Sequence, residues 1–114
     1  LAPRLRKEDG WLRLSESAAA LCRRVRGCHP WPGAALMTPA GRLLLWRATA
    51  LPEAAGSPPG TLVAADSETT AIATGDGLLV PGEVQPDSRK AMSWKDFLRG
   101  ARLGAGARFT EVSG

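Results

Sequence analysis

From Ala34 onward the chain is broken by turn-forming sequence every few residues, and no long helix can form there. The breaks are Pro39-Ala40-Gly41, residues 52–60, Asp66-Ser67-Glu68, Gly75-Asp76-Gly77 and Pro81-Gly82. Gly and Pro favour backbone angles that element interiors tolerate poorly. The short runs between them predict strands over residues 34–38, 42–51, 61–65, 70–74 and 77–84, the last interrupted at Pro81-Gly82. Asp76-Gly77 is a strong hairpin signal. Simple alternation in the longest run puts Leu43, Leu45, Arg47 and Thr49 on one face, and Leu44, Trp46, Ala48 and Ala50 on the other. Residues 52–60, rich in Pro, Gly, Ala and Ser, are expected to form a mobile excursion.

Ahead of the strands lies one amphipathic helix, expected over residues 15–27. Ser15 is the expected N-cap, and Glu16 suits the positive end of the helix dipole. Ala18, Leu21, Cys22 and Val25 recur at i, i+3, i+4 and i+7 and make one apolar face. Arg23, Arg24 and Arg26 crowd the last turn, and Gly27 supplies the stop. Residues 1–14 read as an extended lead-in, with Pro3 blocking an early helix, a turn at Glu8-Asp9-Gly10, then apolar Trp11, Leu12 and Leu14. A second, short helix starts at the N-cap Ser93, carries Trp94, Phe97 and Leu98 on its apolar side, and stops at Gly100. The last residues, 101–114, are expected to add an edge strand over 107–112 and to fray. This pattern suits a small antiparallel barrel or sandwich with flanking helices.

The residues the chain lacks narrow its chemistry. It has 114 residues, enough for one core, with no Asn, no Tyr and a single His. A catalytic constellation would have to be built around His29 alone, so no activity is expected of this chain by itself. Cys22, Cys28 and His29 do not form two closely spaced pairs and have no evident fourth ligand, so no metal site is expected. Cys22 falls on the apolar helix face, where an inert thiol is expected. Two cysteines do not make a disulfide scaffold, and a reducing compartment is the expectation. No run is long and apolar enough to span a bilayer, and no secretory pattern opens the chain. The first residue is not Met, which predicts a piece cut from a longer protein.

Charge is segregated. Residues 1–26 and 89–114 each carry a net +4, and residues 27–88 a net −4. If the two basic ends meet in space, they form one positive face that attracts polyanions. Arginine outnumbers lysine twelve to three, and Arg binds phosphate bidentately and stacks on bases. Between helix and strands, Cys28-His29-Pro30-Trp31-Pro32-Gly33-Ala34 forms a stiff loop. Its Trp31 is expected to be pinned onto the core beside the helix.

Several segments in order carry a family resemblance. Arg26-Gly27-Cys28-His29-Pro30-Trp31-Pro32-Gly33-Ala34 resembles the opening of the C-terminal domain of methionyl-tRNA formyltransferases. The likeness continues at Leu44-Leu45-Trp46-Arg47-Ala48, Pro59-Gly60-Thr61-Leu62 and Ala73-Thr74-Gly75-Asp76-Gly77. It closes at Val84-Gln85-Pro86, Arg89-Lys90-Ala91-Met92 and Phe97-Leu98-Arg99-Gly100. The resemblance implies a mainly β fold, a small antiparallel Greek-key barrel related to the OB-fold, with one N-terminal and one short C-terminal helix. It implies a single domain over residues 1–114: lead-in 1–14, helix 15–27, barrel 34–86, then short helix and tail 93–114. It also implies a cytoplasmic role in translation initiation. A separate N-terminal catalytic domain of the same polypeptide would transfer formyl from 10-formyltetrahydrofolate to initiator methionyl-tRNA. This domain would help hold that tRNA through Arg23, Arg24, Arg26, Arg42, Arg89 and Lys90. Some relatives of the family act on small molecules, including a 10-formyltetrahydrofolate hydrolase, and there the domain would be a structural or interaction module.

Overall fold

The computed structural model describes residues 6–53 and 56–112. Its strands are β1 (Ala34–Thr38), β2 (Gly41–Leu51), β3 (Leu62–Ala64), β4 (Thr70–Ala73), β5 (Leu78–Pro86) and β6 (Met92–Ser93). Its helices are α1 (Ala18–Gly27) and α2 (Trp94–Ala101), preceded by a 3-10 turn at Lys7–Gly10. All strand pairs are antiparallel, in the order β1-β2-β5-β4-β3, and β6 also pairs with β5. The meander β3-β4-β5 returns to lie beside β2, which is a Greek key. The molecule is therefore the mainly β, OB-like barrel with two helices that the sequence implies.

The helix start differs from expectation. Ser17, not Ser15, caps α1, its hydroxyl accepting the Ala20 N–H at 3.1 Å. The preceding residues are held elsewhere: Gly75 N–H bonds Leu14 O at 2.9 Å, and Ala18 N–H bonds Asp76 O at 2.8 Å. These bonds fix the helix entry on the β4–β5 turn. Ala18, Leu21, Cys22 and Val25 are buried as the periodicity requires. The second helix also runs further than expected. Gly100 does not end α2; Arg102 does, in a left-handed conformation at φ 57°.

The simple alternation of β2 fails at a pair of compensating bulges. Leu45 faces Val84 and Arg47 faces Glu83, so Trp46 is extra on β2. Ala48 then faces Pro81, so Gly82 is extra on β5. Each extra residue flips the side facing inward. Leu43 and Leu45 are buried before the bulge, and Ala48 and Ala50 pack on the core after it, while Arg47 and Thr49 are exposed. The expected break of the last strand at Pro81-Gly82 is this same bulge, and β5 runs through it.

The C-terminal segment closes the barrel. Met37 and Thr110 exchange two 2.8 Å backbone bonds, and Phe109 N–H bonds Gly60 O at 2.8 Å. Gly60, at φ +98°, allows this approach, because a Cβ there would overlap the Phe109 carbonyl. Phe109 is 1% exposed and meets Trp94 edge-on at 5.7 Å. The expected edge strand near residues 107–112 is thus a short strap between the two sheet edges. The expected lead-in at residues 1–5, the centre of the expected excursion at 54–55 and the last residues 113–114 lie outside the described residues.

Phe109→Ala is expected to lower unfolding free energy by about 3–5 kcal/mol in urea denaturation. Thr110→Ala, which keeps the backbone bonds, should shift it by less than about 0.5 kcal/mol.

Candidate nucleic-acid interface

Helix α1 ends in its arginines. Arg23, Arg24 and Arg26 are exposed, and among the described residues none lies within ion-pair distance of a carboxylate. Helix carbonyls at this end favour cations. Arg24 is also steered by a specific bond, its Nη1 donating to Asp9 O at 2.9 Å. Arg23 and Arg26 border a shallow recess with Ala48, Thr49 and Ala50 of β2.

The loop after α1 differs from expectation in its central residue. Trp31 is 58% exposed and does not pack on the core. The inward space is taken by the backbone of the lead-in. Gly10 lies so close that a Cβ there would overlap the Gly33 carbonyl and sit 3.1 Å from Pro32 Cγ. His29 instead meets Trp46 edge-on, ring centres 5.0 Å apart. Trp46 Nε1 donates to Gln85 Oε1 at 3.0 Å, and Gln85 Nε2 donates to Arg89 O at 2.8 Å. This relay ties the end of α1 to the β5–β6 turn across the outer face of β2 and β5.

At that turn the remaining candidates divide. Arg42 pairs with Asp87, Nε to Oδ1 3.4 Å, which offsets part of its charge. Arg89 and Lys90 are exposed with no carboxylate in ion-pair range among the described residues. Arg42 and Arg89 thus share one end of β2, and Arg23 flanks the other. Six residues of strand, at about 3.3 Å each, separate these groups by about 20 Å. Trp31, Trp46 and Gln85 were not among the sequence candidates. Only the bulge at Trp46 aims that indole at His29 and Gln85, and no local sequence signal announces the pairing.

The titratable groups serve the scaffold. Burial pushes the Cys22 thiol above its ordinary 9.0, with nearby Arg26 pulling back. Burial also raises Cys28, opposed by Arg24 and reinforced by Asp9. Asp66 is held below the usual carboxylate range by the Glu68 and Thr69 N–H groups, both at 2.8 Å, which closes a turn. Among the described residues no three His, Cys, Asp or Glu side chains gather where a metal could be held. No helix is long and apolar enough to cross a membrane.

The architecture is that of an OB-like barrel with an arginine-rich helix end laid against its outer face. The sequence matches the model of the formyl transferase C-terminal domain over residues 4–102, and the chain belongs to that family. It is 44% identical over 110 residues to a methionyl-tRNA formyltransferase of Granulibacter bethesdensis, covering 96% of this chain and 34% of the relative. It is 40% identical over 111 residues to one of Thermus thermophilus, covering 97% and 36%. A third, of Nitrosococcus oceani, is 39% identical over 105 residues, covering 92% and 32%. The chain spans about a third of the length of these curated relatives.

The raised thiols have two consequences. Near pH 8 both cysteines should react with iodoacetamide much more slowly in the folded chain than in denaturant, as mass spectrometry would record. Folding favours the protonated thiols, so their stabilisation is intact below about pH 9 and is lost as pH rises further. A Cys22→Ala/Cys28→Ala chain should show a flatter stability profile there.

Proposed function

We propose that this chain is the C-terminal, tRNA-holding domain of a methionyl-tRNA formyltransferase acting in cytoplasmic translation initiation. The observation that carries this is the family match, joined to relatives near 40% identity that bear that name. In support, the exposed arginines at the end of α1 and the Arg89-Lys90 pair are linked by the His29–Trp46–Gln85 relay. Their role is to meet phosphates of initiator methionyl-tRNA and orient it toward the catalytic N-terminal domain. Such contacts position the RNA without reading its bases.

Formyl transfer belongs to that other domain. 10-Formyltetrahydrofolate supplies the formyl group there, and this chain has a single His from which to build a transfer site. The chain has no Asn, and its single Gln is committed at both ends to Trp46 and Arg89. The purified chain is therefore expected to give no formylated methionyl-tRNA. Product above background would overturn this division of labour.

The binding role is tested by salt titration of tRNA affinity in an enzyme carrying this chain. Affinity should fall with a log–log slope of about −0.7 to −0.9 per phosphate neutralised. Arg89→Ala/Lys90→Ala should flatten the slope by about 1 to 2 units without lowering the thermal midpoint. An unchanged slope removes these two residues from the site. No tRNA affinity even at low salt would assign the domain to a formyltransferase or 10-formyltetrahydrofolate hydrolase working on small molecules.

A further inference from the structure

Trp31 stands apart from the other tryptophans. Trp94 is buried and donates to Thr70 O at 2.8 Å, Trp46 is held by His29 and Gln85, and Trp11 bridges Ala35. Trp31 alone among the large apolar side chains of the described residues is exposed. Its position is fixed from beneath by Pro32 and Gly33 against Gly10.

The elements packed against the loop that carries the ring bear arginines. Arg24 is anchored on Asp9 O, one residue from the Gly10 that abuts Pro32. Arg42 lines a small recess with Pro32 and Gly33 on another side of the loop. Arg26 O accepts the His29 N–H at 3.4 Å, so the helix end and the loop are continuous. The carboxylates on these neighbours are engaged: Asp9 accepts the Arg6 N–H at 2.6 Å, and Asp87 pairs with Arg42. An apolar protein partner covering the indole would also cover guanidinium groups on the elements packed against this loop, and they would lose their hydration. A nucleotide satisfies both parts at once, with its base on the ring and its phosphates on the arginines.

Resting on the RNA-binding reading above, we propose that Trp31 is the stacking platform for one unpaired nucleobase of the bound RNA. A base inside a duplex stack cannot offer its face to a side chain, so the occupant is single-stranded. The stack adds an affinity that does not depend on counterion release, unlike the phosphate contacts around it.

Two labelled RNAs test this, a hairpin with a short single-stranded 3′ end and the same hairpin cut blunt. The chain should bind the first more tightly. Trp31→Ala should remove that preference, weakening binding of the overhang RNA about five- to a hundredfold. Trp31→Phe should retain most of it. Neither variant should change blunt-hairpin affinity, salt slope or thermal midpoint, because the ring is not in the core. A Trp31→Ala chain that keeps the preference overturns the stacking role and leaves the phosphate contacts standing. The stacking role is equally overturned if wild type shows no preference, or if Trp31→Ala weakens both RNAs alike. Protection of the ring by the separately expressed N-terminal region of the Granulibacter bethesdensis relative, in place of RNA, overturns it too. Failure of the wild-type chain to bind either RNA at low salt overturns both this role and the RNA-binding reading.

Discussion

The barrel depends on a strap of five residues near its C-terminus, 106–110. Strands β1 and β3 are the two ends of the hydrogen-bonded path and would otherwise present unpaired backbone groups. Gly106 and Ala107 bond to Leu62, Phe109 to Gly60, and Thr110 to Met37, all at 2.8 Å. One segment thus serves both edges, and Phe109 fills the core beneath it against Trp94. Helix α2 is what sets Trp94 in place, through the Ser93 cap that accepts the Asp96 N–H. Closure therefore couples the C-terminal strap to strands roughly 45 to 75 residues earlier, non-local contacts of the kind that slow folding.

The candidate interface follows from how the core is packed. The paired bulges at Trp46 and Gly82 turn Ala48 and Ala50 inward, where small side chains let α1 sit close to β2. The same change of side leaves Trp46 outside, within reach of His29 at the end of α1. The Trp46 N–H is satisfied by Gln85, so a half-buried indole carries no unpaired donor. The outer face is stiffened by contacts that the core packing requires.

Much of the architecture is legible in the residues themselves. Turn chemistry places the hairpins, because Gly77 at φ +88° and the Asp66 side-chain turn have strong local causes. The apolar face of α1 is legible for the same reason. What is lost is everything set by distant partners. Ser15 and Ser17 are equally good local caps, and the bonds that Gly75 N–H donates to Leu14 O and that Asp76 O accepts from Ala18 N–H decide between them. The β2 faces cannot be read past residue 45, since a bulge is a property of two strands. Trp31 looks like a core anchor in sequence because large aromatics between prolines often are. Its exposure carries no local signal in the chain. The site candidates were chosen by charge, so the sequence could offer Arg89 and Lys90 but not the Gln85 amide that positions the Arg89 backbone.

The six basic candidates are not equivalent as phosphate ligands. The Arg42–Asp87 pair is exposed, and such pairs contribute about 0–1 kcal/mol, so a phosphate can compete for this guanidinium. Arg24 spends one donor on Asp9 O and keeps the others of its planar fork, so it is aimed without being neutralised. Lys90 is a point charge on a flexible stem, suited to following a backbone rather than fixing one. On the proposed role, Arg24 thus offers the most directed contact and Lys90 the most adaptable one. Diffuse attraction fades within about 8 Å at physiological ionic strength, shorter than the about 20 Å of strand between Arg42 and the β2 residues beside Arg23. On the proposed tRNA-holding role, a polyanion must then reach both Arg23 and Arg42 to gain from both, which suits an extended backbone better than a compact anionic metabolite.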